Sequence, residues 1–328
     1  NIIIPAFEDF KSSTTALNQS AIQFIEEPTE GNLGDLRNAY LDAYLKFQNV
    51  SMFEIGKAET LSYRINLNTY PTDGPGMISH IEEGDYNLEL PSSFDEQGFP
   101  ALDFLLYGLA ETDGEIVAIY STSENAALYK DYLGEVAIKI DDLTKAVLDD
   151  WKGGFRDAFV GNTSSSNTGS VDKLANDYIF YFEKYLRAGK VGIPAGVFSA
   201  TPLPQNVEAF YKRDISKQLL IRAISATQDF FNGKHFIGSA TGESFKSYLD
   251  FLNTVKNGED LSKLIDDQFI AAKEEANVLK DDFVQQIEAD NNKMISVYEE
   301  LQRNVILLKV DMLQALDISV DYVDADGD

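Results

Sequence analysis

The chain has 328 residues, 44% of them hydrophobic, which is material for two ordinary domains or one large helical body and argues against global disorder. Its 54 acidic and 27 basic residues give a formal net charge of -27. Such a field repels nucleic-acid phosphates and anionic lipid, and it favours cationic partners, metal ions included, besides its plain effect on solubility. There are no cysteines, so disulfides, thiolate zinc sites, thiol nucleophiles and iron–sulfur clusters are excluded.

Helical periodicity dominates. A helix is expected over about 6–26, and Leu36, Tyr40, Tyr44 and Phe47, with Ala43 beside them, mark one apolar helix face. A loop-rich stretch runs from about Ile65 to Gly98, punctuated by Pro71, Gly74, Pro75, Gly76, Gly84 and Pro91. Strand signals are sparse; Glu115 to Tyr120 is one segment that reads as extended. Further helices are expected at about 122–160, 170–188, 206–232 and 242–256, with Gly153-Gly154 marking a kink or a close helix contact. The polar run from Gly161 to Gly169 reads as a linker or exposed loop, and Gly189 to Pro204 as a second irregular stretch. Leu261, Ile265, Ala272, Ala276, Leu279 and Phe283 form another apolar stripe. Met294, Val297, Leu301, Val305, Leu308, Met312 and Leu316 form the clearest one, with Asp290-Asn291-Asn292 as a break between them or a polar patch on one longer helix. The fold class is therefore all-α, with two helical-bundle halves: 1–162 and 170–328. No stretch approaches the roughly 20 apolar residues of a membrane span. The chain opens on Asn1 rather than Met, so it reads as a trimmed form, with any signal peptide or lipid anchor lying upstream.

The most informative segment is Gln97 to Gly108. Pro100 suits the first turn of a helix, where its missing N–H is harmless, and Gly108 suits a stop. Phe99, Ala101, Leu102, Phe104, Leu105 and Leu106 are apolar nearly all round, so this short helix is expected to be buried. Asp103 is expected in its first turn, where free N–H groups and the dipole stabilise a carboxylate.

This segment resembles the signature region of the imelysin-like family, in its iron-regulated protein A-like, Bacteroidetes-type variant. The family pattern is Gly-x-His-x-x-Glu followed by an apolar run and an aromatic-Gly pair. Gly98 matches, Pro100 stands in the His position, Asp103 stands in the Glu position, and Tyr107-Gly108 closes the run. Phe53-Glu54-Ile55-Gly56, Tyr70-Pro71-Thr72-Asp73, Gly192 to Ser199 and Asp317 to Tyr322 are similar to other family segments in the same order, so the resemblance spans nearly the whole chain. It implies a periplasmic or outer-membrane-anchored protein linked to uptake of iron or another metal. It also brings a metallopeptidase label. A zinc peptidase needs neutral imidazoles on the metal and a carboxylate to activate water, and Pro100 removes the imidazole. The expected function is thus non-catalytic binding of a metal ion, a metal complex or a partner protein. A metal-dependent peptidase and an envelope scaffold are the alternatives.

Asp103 is the first candidate binding residue and metal ligand, followed by Tyr107, Asp73 and Glu54. With Glu59 and Tyr70 these offer hard oxygen donors suited to iron and other di- or trivalent ions. His80 and Glu83 form a literal His-x-x-Glu string and would share a helix face as a second metal candidate. His235 follows a turn and reads as a surface residue. The acidic tail from Asp324 to Asp328 resembles the start of a calcium loop without its later ligands. Ser164-Ser165-Ser166 has no histidine nearby to make it a nucleophile.

Overall fold

The computed structural model describes residues 1–166 and 168–322. Asn167 and the acidic tail fall outside them, including the calcium-loop-like Asp324 to Asp328. Three long helices build the first half: α1 (Ile3–Glu26), α2 (Glu30–Phe47) and α8 (Ala126–Asp150). α1 lies between the other two. Shorter helices close over them: α3 (Lys57–Thr60), α4 (Tyr63–Asn68), α5 (Gly74–Glu83), α6 (Gly98–Asp103) and α7 (Asp113–Ser121). After α8, Gly154 leaves helical geometry at φ 131°, which gives the expected kink before α9 (Arg156–Gly161).

The second half holds α10 (Ser170–Phe180), α11 (Ser216–Phe231), α12 (Phe245–Phe251), α13 (Leu261–Asn277), α14 (Phe283–Ile306) and α15 (Leu313–Ala315). α13 packs on α14 and α11, and a π-helical stretch, Tyr181–Gly192, continues α10 against α14. Apolar side chains of both halves belong to one contiguous core cluster, and α11 touches α2 across the seam. No described helix is long and apolar enough to cross a membrane.

Several expectations need correcting. Glu115 to Tyr120 is helical, because Thr112 and Glu115 form a capping box that starts α7. The helix expected at 242–256 ends at Phe251. A two-residue hairpin follows, β1 (Val255–Lys256) and β2 (Glu259–Asp260), closed by Asn257-Gly258 with both φ values positive. The helix expected at 206–232 begins only at Ser216. The break expected at Asp290 is present as a kink inside α14, where Asp290 leaves helical geometry at φ -164°, and a further break at Val278–Asp282, with Asp282 capping α14, interrupts the Leu261–Phe283 stripe. His80 sits in the last turn of α5, not in a loop.

α6 is buried along its whole length. Phe99 stacks on Tyr44 at 4.6 Å between ring centroids and packs against Phe10, Tyr40 and Phe47. Gly98 starts the helix at φ +73°, and a Cβ there would sit 2.3 Å from the Leu67 carbonyl oxygen at the end of α4. Gly98→Ala is expected to cost more than the roughly 1 kcal/mol of an unfavourable φ alone, because it also pushes α6 off α4. Chemical denaturation of that variant checks this. A loss below about 0.5 kcal/mol would show that α6 is free to shift.

Candidate functional site

The seam between the halves carries an unusual number of buried polar side chains. Asp103 ends α6, rather than sitting in its first turn as expected, and is 1% exposed. Its carboxylate does not serve its own helix. Oδ2 accepts from the backbone N–H of Tyr211 at 2.7 Å and Oδ1 from that of Lys212 at 2.9 Å, both in the irregular segment ahead of α11. A residue of the first half thus pins the backbone of the second. Burial pushes its pKa up to about 7; the two backbone donors, the Tyr40 hydroxyl and Lys212 offset part of that rise.

Tyr107 lies on the next turn, in the π-helical stretch Phe104–Gly108. The Arg37 guanidinium stands 4.4 Å from its ring centroid and the Lys212 ammonium 5.6 Å away. Arg37 is fixed there because Nε and Nη2 both donate to the Leu106 carbonyl, at 3.0 and 2.7 Å. Each cation also holds an exposed carboxylate: Asp113 for Arg37 and Asp214 for Lys212. Burial is the main cause of a raised Tyr107 pKa, so a phenolate is disfavoured there.

The other sequence candidates are elsewhere. Asp73 caps α5, accepting from Gly76 N at 2.9 Å. Glu54 belongs to a second buried cluster. Its Oε2 accepts from Arg64 N at 2.9 Å, and its own N–H donates to Asp177 Oδ2 at 2.6 Å. Arg64 is 2% exposed, donates to the Ser51 carbonyl and Asp177, and lies over the Tyr181 and Tyr185 rings. Burial pushes Glu54 to about 7, against the pull of Arg64. His80 Nδ1 meets Glu96 Oε2 at 3.0 Å, which raises the His80 pKa, while Glu83 accepts from Ser79 at 3.3 Å. The candidates therefore do not converge as one carboxylate cluster. Among the described residues no three or more His, Asp or Glu side chains gather in a metal-holding arrangement. Each Asp103 oxygen accepts one backbone hydrogen bond, and His80 faces Glu96 while Glu83 faces Ser79.

Sequence reasoning missed other buried charges, at the seam and within the second half. Lys190, on the π-helical stretch, is ion-paired with Glu208, and both are almost fully buried. Asn68 Nδ2 donates to Glu208 Oε1 at 2.8 Å and its Oδ1 accepts from the Tyr44 hydroxyl at 2.7 Å. Glu183, fully buried, accepts from Tyr322 at 2.9 Å and pairs with Lys309 at 3.0 Å. Glu183, Arg187 and Lys190 are spaced by four and three among Phe182, Leu186 and Val191. That interleaving with apolar residues was the one available signal.

The imelysin family model, which carries a peptidase label, matches residues 3–306. The chain belongs to the imelysin family. Two solved structures share the imelysin fold. An imelysin-like protein from Psychrobacter arcticum is 15% identical, with a TM-score of 0.73 over 98% of this chain and 93% of that one. A putative iron-regulated protein A precursor from Parabacteroides distasonis is 16% identical, with a TM-score of 0.75 over 94% and 91%. At such identities the likeness is one of fold. No curated protein matches the chain at a significant level. Gly98, Pro100 and Asp103, the residues that resemble the family signature, all lie on α6, and Asp103 meets the segment ahead of α11.

Proposed function

We propose that this imelysin-family chain is a cell-envelope protein of iron acquisition that acts by binding, and that it takes iron as an anionic chelate at the seam over Tyr107. The family and the likeness to a protein titled an iron-regulated protein A precursor support the iron-related setting. The observation that carries the binding reading is the pair of cations, Arg37 and Lys212, on the Tyr107 ring in a chain of charge -27. Their carboxylate partners, Asp113 and Asp214, are more than half exposed. The cations themselves are 15% and 20% exposed, so each pair is open to water on its carboxylate side alone, and an anionic ligand competes with a carboxylate that solvent already screens. A bare ion finds no such welcome, because both Asp103 oxygens already accept backbone hydrogen bonds. Peptide hydrolysis is the less supported reading, since Pro100 supplies no imidazole.

Calorimetric titration of metal-stripped protein tests this. Ferric citrate is expected to bind saturably, and Lys212→Gln is expected to weaken it about tenfold, some 1.4 kcal/mol. Ferrous, zinc and calcium salts are expected to give no stoichiometric heat. Tight binding of a bare ion, chelator-sensitive peptide cleavage, or indifference of citrate binding to Lys212→Gln would each overturn the reading.

A further inference from the structure

A pocket well separated in composition from the seam opens between α10, α11 and α12, with a volume of about 520 Å³. It shares no lining residue with the Asp103–Tyr107 site. Leu174, Phe230 and Phe245 are among its apolar lining residues, and Phe245 and Phe230 continue inward to Tyr178 as part of the aromatic core. Tyr248 and Phe251 line it from α12 and are 43% and 80% exposed, a large apolar outlay for a surface helix of seven residues. Among the described residues, Glu243 is the one charged residue that lines it. Ser247 Oγ donates to the Glu243 carboxylate at 3.3 Å, which holds the acid beside the first turn of α12. The size falls in the range of about 300–1,000 Å³ that takes small molecules, with the usual composition of apolar walls and few polar groups.

We propose that this pocket binds a small apolar molecule bearing a cationic head, an alkyl- or arylammonium compound. The apolar part is taken out of water against Leu174, Phe230 and Phe245. The ammonium faces the Glu243 carboxylate and the electron-rich faces of Tyr248 and Phe251, the two kinds of group that recognise quaternary ammonium. An anionic amphiphile of equal length meets Glu243 and the field of a chain of charge -27, so the pocket discriminates by charge as well as by shape.

The probe is decyltrimethylammonium below its micelle-forming concentration, titrated into the full chain by calorimetry, with decyl sulfate and decanol as comparisons. Saturable one-to-one binding of the ammonium is expected, with decyl sulfate at least about tenfold weaker. Glu243→Gln is expected to lower ammonium affinity about fivefold and leave decanol unchanged, which separates the local carboxylate from the overall charge. Phe251→Ser is expected to weaken both; its side chain is so exposed that the fold does not depend on it. Unchanged ferric citrate binding at the seam, or unchanged helical circular dichroism where citrate does not bind, serves as the folding control. No saturable ammonium binding, equal binding of decyl sulfate, or a Glu243→Gln variant that binds the ammonium as before would overturn the proposal.

Discussion

Asp103→Ala is expected to destabilise the protein by about 2–5 kcal/mol, because it leaves the half-buried N–H groups of Tyr211 and Lys212 without their acceptor. Asp103→Asn separates that loss from the titration of the acid. The carboxyl group has an ordinary value of 3.8 and is pushed to about 7 in the fold. A folded pKa above the unfolded one means that the fold favours the protonated form. The corresponding stability is therefore present below about pH 4 and is lost as pH rises through 7, about 4 kcal/mol at most. Asparagine does not titrate. Whatever its deficit at pH 4, the Asn variant is expected to gain on the native chain as pH rises toward 8. The titratable groups around Asp103 include Tyr40, Tyr44, Tyr107, Tyr211 and Lys212, with Arg37 beyond the Tyr107 ring. Glu54 moves in the same direction, so the comparison is between the two proteins at each pH and not between pH values alone. Urea denaturation across pH 4–8, with carbon NMR of the Asp103 carboxyl, checks both parts. A stability gap that does not change with pH would show that Asp103 titrates as an ordinary exposed acid.

Glu208→Ala is the second large expected effect. Lys190 is 3% exposed, and burial lowers its pKa while Glu208 raises it. Removing the carboxylate leaves an ammonium in the interior with no counter-charge, a loss of about 3–5 kcal/mol. It also takes an acceptor from Asn68. Replacing both members, Lys190→Met with Glu208→Leu, is expected to recover all but about 1–3 kcal/mol, the residue reflecting the orphaned Asn68 amide. A denaturation double-mutant cycle reads this directly. If Glu208→Ala alone costs less than about 1 kcal/mol, water reaches Lys190 and the pair is not a buried one.

The helical class was legible because long amphipathic stripes repeat a local pattern. Tyr40, Tyr44 and Phe47 on α2, and Met294 to Met312 near the chain's end, read the same in sequence and structure. The burial of α6 followed from residues apolar on every side. Element ends were less legible. Asp282 starting α14 and the Thr112–Glu115 box starting α7 are short-range signals that apolar runs obscured. The hairpin after α12 turns on two positive-φ residues, Asn257 and Gly258, just past a stretch that reads as helix to 256.

The sequence by itself determined that this protein is a thiol-free, acidic helical chain, since composition and local periodicity carry that information; that Pro100 stands where a signature histidine would be is what its resemblance to the family implies. It also singled out Asp103. Only the tertiary structure decided what Asp103 does, because its partners, Tyr211 and Lys212, lie more than a hundred positions away and donate from backbone, which no side-chain pattern announces. Glu183 and Lys190 were also placed only by the tertiary structure. A charged stripe on a helix is normally solvated, and these charges are interior because packing supplies each with a side-chain partner, Lys309 and Tyr322 for Glu183 and Glu208, 18 positions on, for Lys190.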